Sequence, residues 1–302
     1  MTSAYLVFVT RVLLLMVVIL LLAGCSSVIV KQIPQTRLLA IRHNQKGVAE
    51  TRKGNTKEAL KDFNEALKLH GAIEDFDGMI TSLINLARAH RIHRDVAAAR
   101  AALDKALLLP AERPPLAAEL FFENAKIYLA ENNLQSAGEW ARRSHEISRE
   151  VGVNIGRSGN LIATVLLRRG LFNDARAEAE HALEANREQR LVEEEATSLR
   201  LLGEIDFAGG RYDTALAALT EALALDKTAG VRRNISTDLR LLGAVYLKKG
   251  EHDSAVKYFK RSLELNLSAD DRDAAAFDRA RLDEISKPAA AQSPPVSGST
   301  VR

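Results

Sequence analysis

Apolar residues recur at helical spacing between positions 239 and 265, where the pattern of the chain is clearest. Leu239, Leu242 and Tyr246 lie three and four residues apart, as on one face of a helix, and Phe259 belongs to a second such face. Gly250 separates the two runs and indicates a turn. The stretch therefore predicts two short helices folded back on each other.

Small residues occupy corresponding positions in six such stretches and define a repeat. In the first predicted helix they are Gly47, Ala87, Ala125, Ala163, Gly203 and Gly243. Twelve residues later, in the second helix, they are Ala59, Ala99, Ala137, Ala175, Ala215 and Ala255. Seven residues further on they are Ala66, Ala106, Ser144, Ala182, Ala222 and Ser262. Because small residues let two helix backbones approach closely, the pattern predicts six stacked hairpins with a period of 38–40 residues.

Turn glycines and large packing residues are present in some copies and absent from others. Four copies carry a glycine at the predicted turn: Gly54, Gly170, Gly210 and Gly250. Ala141 and Ala179 stand in the third and fourth copies where Phe63 and Phe259 stand in the first and last. We therefore expect the packing to differ in the middle of the array.

One segment, Leu242-Gly243-Ala244-Val245-Tyr246, carries the complete sequence signature of a known helical repeat family. Leu202 and Gly203 keep its first half, and Tyr128 supplies its tyrosine in the third copy. With the repeat, these residues resemble the tetratricopeptide repeat (TPR). The resemblance implies an all-α fold, a TPR-like α-solenoid of about six helix–turn–helix repeats. The period exceeds the usual value of about 34 residues, so we expect a longer second helix or inter-repeat loop.

The repeats are predicted to occupy residues 40–270, starting near residues 40, 80, 118, 156, 196 and 236. Residues 271–286 predict one further, more polar helix, which would cap the last apolar face as solenoids require. Residues 287–302 are rich in proline, serine and alanine and are predicted to be disordered.

The N-terminal segment resembles a bacterial lipoprotein signal. Arg11 is followed by an apolar run and then by Leu22-Ala23-Gly24-Cys25, which ends in the single cysteine of the chain. The resemblance implies a signal peptide over residues 1–24, lipidation of Cys25 and a tether over residues 25–39. Arg11 lies late for such a signal, and a start at Val9 would give a conventional one. An uncleaved membrane-spanning helix is the alternative.

The residue after the cysteine bears on location. In the enterobacterial resemblance an aspartate there implies retention in the inner membrane, and this chain has Ser26. We therefore expect a protein that is lipid-anchored in the outer membrane and faces the periplasm, with inner-membrane anchoring as the alternative.

Composition and motifs exclude several classes of function. The chain has 42 basic and 39 acidic residues, a balance that does not favour nucleic-acid binding, and one cysteine cannot form an intrachain disulfide. It has no phosphate-binding glycine loop and no Gly-x-Ser-x-Gly turn, so we expect neither an enzyme nor a cofactor. His90 and His93 lie near Asp95 but lack a third converging ligand, so no metal site is predicted.

The TPR resemblance implies that the first helices line a concave groove. The inward positions with partner-binding potential are Asn44, Arg52, Asn85, Arg88, Arg91, Lys126, Arg157, Asn160, Arg168, Arg200, Arg240 and Lys248. Nine of these are basic, against three acidic residues, Glu119, Glu123 and Glu204. Phe122, Leu129, Leu167 and Phe207 add apolar anchors. Because arginine and asparagine can bind carboxylates or peptide backbone, the groove predicts an acidic or carboxylate-ended peptide partner; an ordinary solvated helix face is the alternative.

These features together predict a membrane-anchored periplasmic scaffold that mediates protein–protein interactions. Assembly of a pilus, a secretion system or another envelope complex is the natural setting. The alternative is a carrier for the export of envelope polysaccharide or lipid, with a non-protein ligand in the groove.

Overall fold

The computed structural model describes residues 34–286, and all regular secondary structure in this range is α-helical. Its helices are α1 (Gln35–Lys53), α2 (Thr56–Gly71), α3 (Phe76–Ile92), α4 (Val96–Leu107), α5 (Pro114–Ala130), α6 (Leu134–Val151), α7 (Ile155–Arg168), α8 (Phe172–Glu188), α9 (Val192–Ala208), α10 (Tyr212–Ala229), α11 (Arg232–Lys248), α12 (His252–Ser268) and α13 (Arg272–Ser286). Six hairpins followed by one further helix confirm the predicted fold class, an all-α TPR-like solenoid.

The predicted signal peptide, the lipidated Cys25 and the C-terminal tail lie outside the described residues. The described chain differs from the sequence prediction at its start, because α1 begins at Gln35 and includes the end of the predicted tether. Pro34 directly precedes α1, a place where a fixed φ suits the entry into a helix. None of the described helices has the length and apolar character needed to span a membrane.

The small repeat positions form the contact line between the helices of each hairpin. All eighteen of them are buried. A Cβ atom added at Gly203 would lie 2.6 Å from Cγ of Leu219, so the leucine fills the space above the glycine. In the fourth repeat the corresponding residues are Ala163 and Ala179, both fully buried. The middle repeats thus exchange a glycine and a large residue for two alanines, which explains their divergent sequence.

A left-handed residue ends each first helix. Gly54, Gly170, Gly210 and Gly250 have φ between 74° and 84°, as the sequence suggested. The other two repeats place Arg94, with φ 63°, and Asn132, with φ 58°, at the same turn position. Arginine is disfavoured in this conformation because its Cβ crowds the backbone, so Arg94 is held under local strain.

The first helices form the inner row of the array. Each of them, from α1 to α9, packs against the first helix of the next repeat, whereas no two second helices pack on each other to a comparable extent in the described chain. In a curved stack of repeats, helices that pack against the equivalent helix of the next repeat lie on the shorter, concave side. The concave surface is therefore built from α1, α3, α5, α7, α9 and α11.

Candidate functional site: the groove of the first helices

The twelve predicted groove residues fall into three groups. Eight bond to other residues of the chain: Asn44, Asn85, Arg88, Arg91, Arg157, Asn160, Arg200 and Arg240. Arg52, Arg168 and Lys248 are exposed and form no ion pair with a described residue. Lys126 is partly buried and forms no ion pair with a described carboxylate, as described below. Most of the predicted basic surface is therefore already engaged within the array.

The three exposed cations share one place in the repeat. Arg52, Arg168 and Lys248 lie in the last turns of α1, α7 and α11. Cations at the C-terminus of a helix are stabilised by the partial negative charge of its unpaired carbonyls. This interaction with the helix ends is sufficient to explain the three cations, which lie at the edge of the groove.

A group of ionised side chains lies in the middle of the groove, and we name it the central cluster. It consists of Arg88 and Arg91 on α3, Glu119, Glu123 and Lys126 on α5, Arg157 on α7 and Glu194 on α9. Four consecutive first helices contribute to it. The cluster therefore joins the second, third, fourth and fifth repeats through their inner faces.

Glu123 is the buried acid of the central cluster, with 2% of its surface exposed. Nε of Arg88 donates to its Oε1 at 2.8 Å, and Nη2 of Arg91 lies 3.5 Å from its Oε2. Burial alone would raise the pKa of Glu123, but Lys126 and the two guanidinium groups outweigh burial and lower it to about 2. The carboxylate is charged throughout the physiological range.

Arg157 covers the outer part of the central cluster. Its Nη2 donates to Oε1 of Glu119 at 3.0 Å, and its Nε lies 3.4 Å from Oε1 of Glu194. Its guanidinium carbon is 3.9 Å from the centroid of the Phe122 ring. Phe122 was predicted as an apolar anchor, and the structure places it under this arginine, with 7% of its surface exposed.

Lys126 gives the central cluster a surplus of positive charge. The arginines form ion pairs with the carboxylates of the cluster, and no described carboxylate forms an ion pair with Lys126. Burial lowers the pKa of Lys126 to about 8; Glu123 opposes this shift, while Arg91 and Arg157 add to it. Four cations thus face three carboxylates, and the unmatched cation of the central cluster lies on α5, the third of the six inner helices.

A second, fully enclosed acid pair joins the fifth and sixth repeats. Nε of Arg200 donates to Oδ1 of Asp238 at 2.5 Å, and the same guanidinium pairs with Asp226. Both aspartates are 0% exposed. Burial raises the pKa of Asp238 to about 7, Arg200 opposes the shift and the nearby Asp226 adds to it. One arginine therefore serves two buried carboxyl groups.

Polar pairs 38 residues apart connect successive inner helices, and a fourth pair connects the last inner helix, α11, to α13. They are Asn44 with Ser82, Asn160 with Ser198, Arg200 with Asp238, and Arg240 with Asp278. The last pair is an ion pair of 3.8 Å between Nε of Arg240 on α11 and Oδ1 of Asp278 on α13. The sequence analysis did not identify Asp238 and Asp278. Their spacing of 38 residues from Arg200 and Arg240 could have indicated them.

The open part of the groove lies at its N-terminal end. A cavity of about 600 Å³ is lined by Ile41, Asn44, Val48, Thr81 and Asn85, among others. Ile41 and Val48 are about one-third exposed there, since no helix covers this face of α1 among the described residues. Of the predicted anchors, Leu129, Leu167 and Phe207 are half-buried. Residues 34–286 contain no group of three histidines, cysteines or acids arranged to hold a metal ion.

Family comparisons agree with this architecture. Models described as tetratricopeptide repeat match residues 84–148, 156–228 and 194–268, which together exceed half of the chain. The chain belongs to the tetratricopeptide-repeat family. TPR proteins generally mediate protein–protein interactions, and neither matching model describes a catalytic family. A comparison with curated proteins gave no match.

Solved TPR structures resemble the chain in fold. The Rap conjugation gene regulator of plasmid pLS20, in complex with the Phr* peptide, has a TM-score of 0.65 and 12% identity, covering 85% of this chain and 82% of the regulator. BtubC (BKLC) from P. vanneervenii has a TM-score of 0.54 and 20% identity, covering 73% and 92%. Pseudomonas aeruginosa pilF has a TM-score of 0.52 and 14% identity, covering 82% and 100%. At these identities the likeness concerns the TPR fold alone.

Proposed function

We propose that this TPR protein is a membrane-anchored scaffold that faces the periplasm and holds a partner protein at the outer membrane. The concave groove receives an acidic or carboxylate-ended segment of that partner. The partner belongs to an envelope assembly such as a pilus or a secretion system.

The observation that carries the proposal is the unmatched Lys126 in the central cluster. Lys126 is partly buried and its ammonium lies 5.3 Å from the centroid of the Phe122 ring, with no carboxylate as an ion-pair partner among the described residues. A partly desolvated cation of this kind is stabilised when an anion reaches it. A carboxylate from a bound segment would supply the missing charge and raise the pKa of Lys126. The surrounding arginines are fixed by their own ion pairs, so the site is already organised before a ligand arrives.

Two further observations support a peptide rather than a compact ligand. The cavity of about 600 Å³ beside Ile41 and Val48 offers exposed apolar surface for the side chains of a bound segment. The amide of Asn44 donates to Ser82 and that of Asn85 donates to Asn44, so the apolar surface is the part that is open to a ligand. The Rap regulator, a similar TPR array, was solved in complex with the Phr* peptide.

Binding is tested with a fluorescein-labelled acidic peptide that has a free C-terminus and with its C-terminally amidated twin. Fluorescence anisotropy should show binding to the wild-type protein and a loss of at least tenfold in affinity for Lys126→Met. Lys257→Met removes an exposed cation from the outer helix α12 and should bind as wild type. Equal binding by all three proteins would refute the groove proposal. Discrimination against the amidated twin would identify the terminal carboxylate as the recognised group.

The partner itself is sought by crosslinking in intact envelopes, followed by purification of wild-type and Lys126→Met proteins. A protein crosslinked only to wild type supports the scaffold. Co-purification of a polysaccharide or lipid without any protein would instead favour the carrier function.

The location has a separate test, because it depends on the lipoprotein resemblance of the N-terminal segment. Metabolic labelling with an alkyne fatty acid should modify the wild-type protein and leave Cys25→Ser unlabelled. Fractionation should place the labelled protein in the outer membrane. Labelling of both proteins, or of neither, would exclude Cys25 as the anchor.

A further inference from the structure

One ion pair joins two distant parts of the array. An Nη1 atom of Arg94, in the turn between α3 and α4, lies 2.9 Å from Oδ2 of Asp273, in the first turn of α13. The two residues belong to the second repeat and to the helix that follows the sixth. The contact therefore spans four complete repeats.

The contact joins opposite edges of the solenoid. The turn that carries Arg94 connects the two helices within a repeat, and all such turns lie on one edge because the first helices run in the same direction. Asp273 follows the connection between α12 and α13, which lies on the other edge with the inter-repeat turns. An ion pair between opposite edges requires the stack of repeats to curve back on itself while it rises along its axis, which is the path of a superhelical turn.

Arg94 occupies a position where other repeats use glycine. Its φ is 63°, in the left-handed region that glycine fills in four of the corresponding turns. An arginine in this conformation is strained, because its Cβ atom crowds the backbone. Its side chain, however, is the one that reaches Asp273.

A gap remains beneath the ion pair. A cavity of about 420 Å³ is lined by Arg94, Arg233, Arg240, Asp273 and Phe277, among others. The two ends of the turn are thus bridged across open space and do not share a packed interface.

We propose that Arg94 and Asp273 form a clasp that closes the superhelical turn and sets its pitch. Their side chains are 78% and 69% exposed, so the ion pair is weak and is screened by salt. The clasp opens when it is screened or when either charge is removed, and the concave groove then widens. This device acts on the array itself and does not depend on which ligand the groove binds.

The clasp is tested by small-angle neutron scattering of the full chain in contrast-matched detergent. The wild-type radius of gyration should increase between about 0.01 M and about 1 M salt, where the screening length falls from roughly 30 Å to 3 Å. Arg94→Gly should have the larger radius already at low salt and should no longer respond to salt. Its melting temperature should equal or exceed that of wild type, since glycine relieves the strained turn.

Asn132→Gly is the matched control, because Asn132 occupies the same turn position in the third repeat with φ 58°. It should keep the compact radius and its salt response, and its melting temperature should change less than that of Arg94→Gly because asparagine tolerates the left-handed region. A charge swap, Arg94→Glu with Asp273→Arg, should restore the compaction that Arg94→Glu alone removes. An Arg94→Gly protein as compact as wild type at low salt would overturn the clasp, as would a swap that restores nothing.

Discussion

A Cβ atom added at Gly47 would lie 2.5 Å from Cε1 of Phe63, because the phenyl ring of α2 rests directly on the backbone of α1. Phe63 is 1% exposed. In the third repeat the same two positions hold Ala125 and Ala141, both 0% exposed. The hairpins of the first and third repeats therefore reach close packing with two different divisions of side-chain volume.

This relationship predicts a strongly non-additive pair of substitutions. Gly47→Ala alone should lower the free energy of unfolding by about 1–3 kcal/mol, since the added methyl group overpacks the site. Phe63→Ala alone should lower it by about 3–5 kcal/mol through the cavity that it leaves. In the Phe63→Ala background, Gly47→Ala should cost nothing or stabilise the protein, because the methyl group then fills space and alanine favours a helix.

Urea unfolding of the four proteins gives this double-mutant cycle. Simple additivity of the two single effects would show that the ring and the glycine do not share one space.

Glu123→Gln should destabilise the array severely. The substitution leaves Arg88 and Arg91 without the carboxylate that both contact, and loss of one partner of a buried pair costs about 3–5 kcal/mol. The control Glu58→Gln changes an exposed acid on α2 and should shift the free energy of unfolding by less than about 0.5 kcal/mol. Equal unfolding midpoints for the two variants would contradict the structural role of Glu123.

The same residue predicts acid sensitivity. Because the pKa of folded Glu123 is lowered from 4.5 to about 2, its contribution to stability is present above the unfolded value and is lost as the pH falls toward 2. The difference in unfolding free energy between wild type and Glu123→Gln should therefore shrink between pH 5 and pH 2, as measured by urea titrations.

Asp238 predicts the opposite pH dependence. Its pKa is raised from 3.8 to about 7, so the folded state holds the proton more tightly than the unfolded state does. This contribution to stability is complete below the unfolded value and is lost as the pH rises through about 7. Asp238→Asn cannot lose a proton and should reduce the fall in stability between pH 5 and pH 8. Asp104→Asn, at an exposed site on α4, should retain the wild-type fall; an unchanged profile in Asp238→Asn would exclude Asp238 as the titrating group.

Lys126→Met should fold at least as well as wild type at pH 7. The lysine is partly buried without an ion-pair partner among the described residues, and its pKa is lowered to about 8. The folded state therefore disfavours the charged form of this side chain. The stability of wild type relative to the variant should rise as the pH increases from about 8 toward 10.5, where the folded state has already released the proton. Paired urea titrations at pH 7 and pH 9.5 measure this change, and a lower stability of the variant at pH 7 would indicate that Lys126 supports the fold.

The predicted groove residues show where sequence reasoning reached its limit. Asn44, Asn160, Arg200 and Arg240 were chosen for their inward positions. Each contacts a polar residue 38 positions later, on the next inner helix for the first three and on α13 for Arg240. Counting charges on the first helices alone missed Asp226, which comes from an outer helix, and Asp278, which comes from α13. The excess of basic residues was correctly counted, but most of it is matched by carboxylates from other helices.

The sequence by itself determined the repeat, because close backbone approach demands small residues at fixed helical spacing, and all eighteen such positions are buried. It also indicated four of the six turns through their glycines. Only the tertiary structure decided that Lys126 is the unmatched cation, since pairing and protonation depend on burial and on charges from several helices. Only the tertiary structure brought Arg94 to Asp273, because that contact results from small rotations summed over successive repeats, which no local pattern encodes.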